Sequence, residues 1–347
     1  MAPAAVLAAI DEPLLIVRDG RVLLSNPAAK ALLGERIDGA DVRLAIRHPV
    51  AVEALRGPAQ PGSPASPGNP ASPENVIRVE LAGLAGQGRR WDMSVAPLGH
   101  GGDLLVRFVD HSIAHAADKM RSDFVANASH ELRTPLATLI GFIETLQDEE
   151  TGGDAAARGR FLAVMSEQAR RMQRLIDDLM SLSRIEADRF SPPDRPVDLL
   201  PLAEEARAAS LGLADERDVE IRIDTGLARA VVLGDHAELL QLLHNLVTNA
   251  IRYGRPSSEV VVEIEENGSG MLRLGVIDQG EGIAPEHLPR VTERFYRVSN
   301  SRSRAEGGTG LGLAIVKHIV SRHRGRLDLR STLGEGTAVH VYLPRAP

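Results

Sequence analysis

Cysteine is absent from the 347 residues. Disulfides, thiolate metal sites and cysteine nucleophiles are therefore excluded, and a reducing compartment suits the chain. Aromatic residues are scarce at 3%, although apolar residues as a whole reach 43%. Any core must then be built from Leu, Ile, Val and Ala. A basic balance is also lacking. The formal net charge is −7, opposite in sign to the footprint that nucleic-acid binders present, so no nucleic-acid partner is expected. No apolar run reaches the roughly 18–20 residues of a membrane helix. The opening MAPAAVLAAI is short, has no basic flank and stops at Asp11, which fails the pattern of a secretion signal. The expectation is a cytoplasmic chain that makes no membrane contact.

The length suggests two or three domains. LLIVRDGRVLLS at 14–25 predicts two strands around an Asp19-Gly20 turn. Asn26-Pro27 then opens a helix, with Asn as cap and Pro at the first helical position. A further strand pair, around WDMSVAPL and DLLVRFVD, closes the region near Asp110. This hairpin-Asn-Pro pattern resembles a PAS domain, a common input module, and residues 1–112 are assigned to it. Prolines at 58, 61, 64, 67, 70 and 73 interrupt it with the period of a polyproline II turn. Residues 57–74 are most simply a disordered insertion, because they hold too little apolar material for a core.

Two long helical patterns follow, at about 114–147 and 155–187, with TGGD at 151–154 between them. The second repeats Leu162, Met165, Met172, Leu175, Ile176, Leu179, Leu182 and Ile185 at helical spacing. Two such helices bury their stripes poorly alone. Pairing two hairpins into a four-helix bundle solves this, which implies a homodimer and assigns residues 113–190 to dimerisation. SPPDRP at 191–196 reads as a linker. From Val197 to Pro347, VEIRID, EVVVEIEEN, MLRLGVID, GRLDLRS and TAVHVYL read as strands, with helices near 200–213, 235–253 and 311–324. One sheet covered on one face by helices is the economical packing. The fold class is thus multidomain α+β.

NASHELRTPL at 127–136 carries the first chemistry. Neutral imidazole, the majority form at pH 7, has a lone pair able to attack phosphorus. His130 is the candidate nucleophile. Glu131 can fix its tautomer and take its proton. Thr134 lies one turn on, on the same face, where its hydroxyl can place a water. Pro135 cannot donate to the carbonyl of Glu131, so a kink is expected just after the active turn. Taken alone, a His-Glu pair is most simply an exposed helix histidine. A zinc protease would need a second His at the position of Thr134. A serine triad would need a strained nucleophile turn, whereas Ser129 sits inside a helix.

The helix at 235–253 carries Asn245 and Asn249 four apart, followed by Arg252 and Tyr253, while Leu239, Leu240, Leu243, Val247 and Ile251 can face a core. Asparagine oxygens suit Mg²⁺, Arg252 suits phosphate and Tyr253 can pack on a base. By itself the polar stripe is most simply a solvated face. MLRLGVID runs into DQGEGI, giving Asp278, Gly280 and Gly282, a carboxylate beside a flexible turn that can read an amino group. GGTGLGLAIVKHIV at 307–320 leaves the backbone bare where a helix begins, which favours phosphate. It lacks the Lys-Ser/Thr of a Walker loop and the context of a dinucleotide fingerprint. GEGT at 334–337 is most simply a hairpin turn.

Together, FVANASHELRTPL, HNLVTNAIRY, DQGEG, ERFYR, GGTGLGL and GEGT, six motifs in order, make residues 114–347 resemble a sensor histidine kinase. NASHELRTPLATLIGFIETLQ and RMQRLIDDLMSLSRIE are similar to the phosphate-regulon members of that family. The resemblance implies a dimerising helical hairpin followed, at 197–347, by the Bergerat-type α/β sandwich of gyrase, Hsp90 and mismatch-repair ATPases. It implies autophosphorylation of His130 with Glu131 as base, and a phosphatase role in which Thr134 orients water. ATP and Mg²⁺ are the implied cofactors. Asn249 would be the main metal ligand, with Asn245 nearby, and Arg252 would meet phosphate. Tyr253 and Asp278 would meet the adenine, beside Gly280 and Gly282. Gly308, Thr309, Gly310, Leu311 and Gly312 would hold the triphosphate, with Thr337 also at the nucleotide. Phe295 would belong to a lid spanning about 284–310. The implied partner is a response regulator whose aspartate receives the phosphoryl group. Two other classes remain open at this point: a Bergerat ATPase machine, which would not need His130, and a non-enzymatic signalling scaffold.

Overall fold

In the computed structural model, residues 7–55, 76–84, 89–98, 102–147, 154–188, 191–268, 270–298 and 308–346 are described. They form two compact units, residues 1–123 and 124–347. The proline-rich stretch at 57–74, most of TGGD and the middle of the expected lid lie outside the described residues.

The first unit opens with β1 (Leu14–Arg18) and β2 (Arg21–Ser25). Asp19 and Gly20 take φ of 49° and 76°. Both values are positive, as the tight turn between twisted antiparallel strands requires. Asn26 caps α1 (Pro27–Leu33) and ties it to the chain before it. Its Oδ1 accepts from Ala29 N at 2.9 Å and Leu14 N at 3.0 Å, and its Nδ2 donates to Ile10 O and Glu12 O. This side chain is 1% exposed and has every hydrogen-bonding group engaged. Two short helices, α2 (Val42–Ile46) and α3 (Pro49–Ala54), precede β3 (Ile77–Ala82), β4 (Arg90–Leu98) and β5 (Asp103–Asp110). The sheet order is β2-β1-β5-β4-β3, antiparallel throughout. Leu15, Ala29, Val42, Met93, Val106 and Phe108 are fully buried in its core. The sequence reading anticipated the first hairpin, α1 and the β4–β5 pair. It missed β3, α2 and α3.

The second unit holds the remainder of α4 (Ser112–Gln147) and α5 (Ala155–Ala187), the latter capped by Asp154. The helix runs unbroken through Pro135. Around it, Thr134 and Thr138 donate their hydroxyls to the carbonyls one turn back, at 3.3 and 3.1 Å. Phe142 and Phe161 join the two helices, with ring centroids 5.1 Å apart. The apolar stripe of α5 is divided between two environments. Leu175, Leu182 and Ile185 are buried in the core of the following α/β domain, whereas Leu162, Ile176 and Met180 are exposed.

That domain begins one strand earlier than its helices suggest. β6 (Arg195–Asp198) takes the end of the expected SPPDRP linker and pairs with β8 (Val231–Gly234). Between them lie α6 (Leu199–Arg217) and β7 (Glu220–Thr225). Then come α7 (His236–Tyr253), β9 (Glu259–Asn267), β10 (Met271–Asp278), α8 (Gly312–Arg322), β11 (Arg326–Thr332) and β12 (Gly336–Pro344). The main sheet is ordered β11-β12-β10-β9-β7. Only β7–β9 is parallel, a pairing that a helical crossover makes possible. Leu202, Leu239, Leu243, Val247, Ile251, Ile315 and Ile319 from the three helices meet Val260, Ile264, Leu274 and Val341 from the sheet.

Candidate nucleotide cleft and histidine helix

Asp235 starts α7 by accepting from Glu238 N at 3.1 Å. From that start, the 3.6-residue period turns Leu239, Leu242, Leu243, Leu246, Val247 and Ile251 into the core. The same period leaves Asn245, Asn249, Arg252 and Tyr253 along a cleft of about 490 Å³. Asp278, Gly282, Gly308, Thr309, Gly310, Gly312 and Thr337 line it as well, so most of the residues singled out in the sequence converge on one place.

The glycine turns are constrained by close backbone approach. A Cβ on Gly280 would stand 2.1 Å from Tyr253 O, and one on Gly336 would stand 2.1 Å from Asp278 O. GEGT is the β11–β12 hairpin turn, and Gly334 N donates to Glu281 O at 2.7 Å, so it is also the floor under DQGEG. Asp278 Oδ1 accepts from Gly280 N at 2.8 Å and Thr337 N at 3.3 Å. Its Oδ2 takes no hydrogen bond from the described residues and remains the acceptor for a ligand. Burial pushes this carboxyl above the usual range, against the pull of the two backbone donors.

The donor set fits a magnesium-bound triphosphate. Asn245 Nδ2 is buried without a hydrogen-bond partner, an unmet polar group of the kind that marks a ligand position. Gly312, where α8 begins, faces the asparagine pair: a Cβ there would lie 3.6 Å from Asn249 Nδ2 and 3.8 Å from Asn245 Oδ1. Helix N-terminus, bare loop and two hard-oxygen side chains therefore share one corner. Burial and the neighbouring Arg174 both weaken the hold of Arg252 on its proton, a cost that a bound anion would relieve.

Three of the named residues do not line the cleft. Gly280 lies beneath Tyr253, and Leu311 is fully buried in the core. Phe295, at φ 62°, hydrogen-bonds through its N–H to Gly310 O at 2.8 Å and packs its ring 5.8 Å from that of Phe124 on α4. Conversely, Arg174 and Asp178 of α5, His244 of α7 and Arg217 of α6 do line it. His244 opens HNLVTNAIRY, and Arg174 and Asp178 fall within RMQRLIDDLMSLSRIE, yet the sequence reading gave none of these four residues a role. His244 is held below its ordinary range, by burial first and then by Arg252.

His130 stands apart, exposed on α4 and outside the cleft lining. Glu131 Oε2 accepts from Arg171 Nη2 of α5 at 3.2 Å, an ion pair across the hairpin, and Oε1 is outside that bond. Thr134 is exposed beside them. Among the described residues no helix is long and apolar enough to cross a membrane.

Comparison with known proteins agrees with this geometry. Residues 120–188 match the His Kinase A (phospho-acceptor) domain, and residues 234–347 match the histidine kinase-, DNA gyrase B- and HSP90-like ATPase family. The phosphate regulon sensor protein PhoR of Pseudomonas aeruginosa is 44% identical over 238 residues, covering 67% of this chain and 52% of that protein. The sensor protein SrrB of Staphylococcus aureus is 35% identical over 243 residues, covering 70% and 41%. The chain thus spans about half, or less, of the length of these relatives. Among solved structures, histidine kinase ThkA in complex with response regulator protein TrrA matches with a TM-score of 0.54 at 16% identity, covering 99% of this chain and 98% of that one. Acinetobacter baumannii histidine kinase AdeS matches at 0.50 and 24%, covering 63% and 98%. These two likenesses establish the fold. With both domain families present in order, and 44% identity to a sensor protein over 238 residues, the chain belongs to the sensor histidine kinase family.

Proposed function

We propose that the chain is an ATP-dependent protein-histidine kinase that phosphorylates its own His130 and then passes the phosphoryl group to an aspartate of a response regulator. One observation carries this reading. A single compact unit combines an exposed His-Glu pair on a helical hairpin with a cleft whose Asn, Arg and bare glycine backbone suit a triphosphate. An imidazole nitrogen of His130 attacks the γ-phosphorus. The N–P bond forms as the bond to the leaving ADP oxygen breaks, and the ring N–H proton goes to Glu131. Oε1 of Glu131 is available for that proton while Arg171 holds Oε2. Magnesium at Asn249, with Asn245 nearby, would neutralise phosphate charge. Arg252 binds phosphate, Asp278 and Tyr253 hold the adenine, and Gly308, Thr309, Gly310 and Gly312 cradle the triphosphate.

The exposed apolar side chains of the hairpin, Leu136, Ile140, Ile143, Leu162, Ile176 and Met180, support pairing with a second copy as a four-helix bundle. Residues 1–112 act as a PAS-type sensor, 113–190 as the dimerising phosphoacceptor and 197–347 as the ATP-binding domain. Likeness to PhoR favours a phosphate-responsive pathway, and Thr134 serves a phosphatase activity on the regulator. ATP and a response regulator put these residues on the cytoplasmic side.

Incubation with magnesium and γ-labelled ATP tests the reading. The wild type should acquire a label that is lost in acid and retained in alkali, and His130→Gln should acquire none. A label equally present in His130→Gln, or none in either protein under activating conditions, would sink it.

A further inference from the structure

The stripe by which α5 docks on the ATP-binding domain contains one acidic residue. Leu175, Leu182 and Ile185 are 3%, 0% and 3% exposed in the shared core. Asp178 falls on the same face, at helical spacing between Leu175 and Leu182. A carboxylate in such a place is costly unless it is hydrogen-bonded. Its partner comes from the opposite side: Thr309 Oγ1 donates to Asp178 Oδ2 at 2.7 Å. Thr309 belongs to the glycine loop that opens α8, so the carboxylate of the hairpin sits inside the nucleotide cleft. Burial pushes the Asp178 carboxyl up, opposed by the bond from Thr309 and by the charge of Arg252. Other polar contacts hold the same interface closed. Ser181 Oγ donates to Gln241 Oε1 at 2.5 Å, Arg294 pairs with Glu186, and Arg322 Nε donates to Asp188 O at 3.2 Å.

A phosphate entering the cleft needs the donors that Asp178 already uses, the Thr309 hydroxyl and the field of Arg252, and it carries the same sign of charge. We propose that Asp178 is an internal competitor for nucleotide phosphate, so that nucleotide binding and docking of α5 on the ATP-binding domain oppose each other. Linkage makes the effect reciprocal: whatever factor docking takes from nucleotide affinity, bound nucleotide takes from docking. The hairpin that presents His130 is then held while the cleft is empty and released when it fills. This inference rests on the ATP-binding reading above.

Two measurements on the full chain test it, each with magnesium and a non-hydrolysable ATP analogue. The first is the dissociation constant. Asp178→Ala should bind about three- to tenfold more tightly than wild type, since the net contribution of one hydrogen bond is lost only from the docked state. Asp178→Asn, which keeps an acceptor but loses the charge, should fall between. Glu167→Gln, the same charge change at an exposed position of α5, should match wild type. Equal or weaker binding by Asp178→Ala overturns the proposal. The second measurement exploits the absence of native cysteine. In Ser181→Cys, thiol-labelling should accelerate at saturating analogue as the interface opens, and an unchanged rate overturns the proposal. Binding by wild type with identical constants in every variant removes the competitor alone. Absence of binding by wild type removes the nucleotide reading and this inference with it.

Discussion

The two halves of the proposed reaction are built in opposite ways. The cleft is assembled from α7, β10, the glycine loop and the GEGT hairpin, on backbone approaches so close that Gly280 and Gly336 have no room for a side chain. His130 lies on the outside of a helix, with no wall around it. The donor site must exclude water and hold a highly charged ligand, so it is enclosed and costly to distort. The acceptor must meet first a nucleotide and later a second protein, so it is presented on a surface. Changes to the histidine helix should therefore remove chemistry and spare the fold. Changes to the cleft and its docking face should reach stability.

The largest expected effect is on the histidine side. His130→Gln should abolish the acid-labile label while thermal unfolding and analogue binding stay at wild-type values; a lowered melting temperature would break the contrast. Glu131→Gln should slow labelling by roughly 10²–10⁴-fold through loss of the base, read as an initial rate at saturating ATP. On the packing side, Leu182→Ala empties a fully buried position between α5 and the ATP-binding domain. It should cost about 2–5 kcal/mol, seen in urea melts of the full chain. Gly280→Ala forces a methyl against Tyr253 O and should cost about 1–3 kcal/mol, with weakened analogue binding in the same preparation. The smallest effect is a pH dependence. His323 accepts from Asp235 N at 3.1 Å through Nε2, and its Nδ1 lies 2.8 Å from Ile319 O, an arrangement that requires the neutral ring. Burial holds it below its ordinary 6.5. A lowered folded-state value means that the unfolded chain binds the extra proton first. Its contribution is complete above pH 6.5 and is lost as pH falls through the folded-state value. The melting temperature should decline below pH 6.5, and His323→Gln should make that decline shallower.

Much of this architecture was legible from local signals. Helical periodicity set α5 at 155–187, and the structure has Ala155–Ala187. Asp-Gly and Asn-Pro placed the first turn and the first cap. The polar stripe of α7 and the glycine turns named most of the cleft before its walls were known. The failures share a cause. β6 and β8 are four residues each, too short for a periodic signal, and Pro196 made the first of them read as a linker. Phe295 was assigned to a lid through the resemblance of ERFYR, and its ring contact with Phe124, far away in the chain, could not be read from that motif. The stripe on α5 was read as facing one partner, whereas part of it serves the ATP-binding domain and part is exposed.

The sequence by itself determined which side chains are candidates for the chemistry, because capping, helical period and glycine punctuation act over a few residues and can be read in a line. Only the tertiary structure decided that Asp178 belongs to the nucleotide cleft, since its partner Thr309 is 131 residues away and no local pattern records so distant a contact. It also decided that His130 is presented outside the cleft, because docking of α5 through Leu175, Leu182 and Ile185, a matter of packing between elements, sets which face of the hairpin is covered.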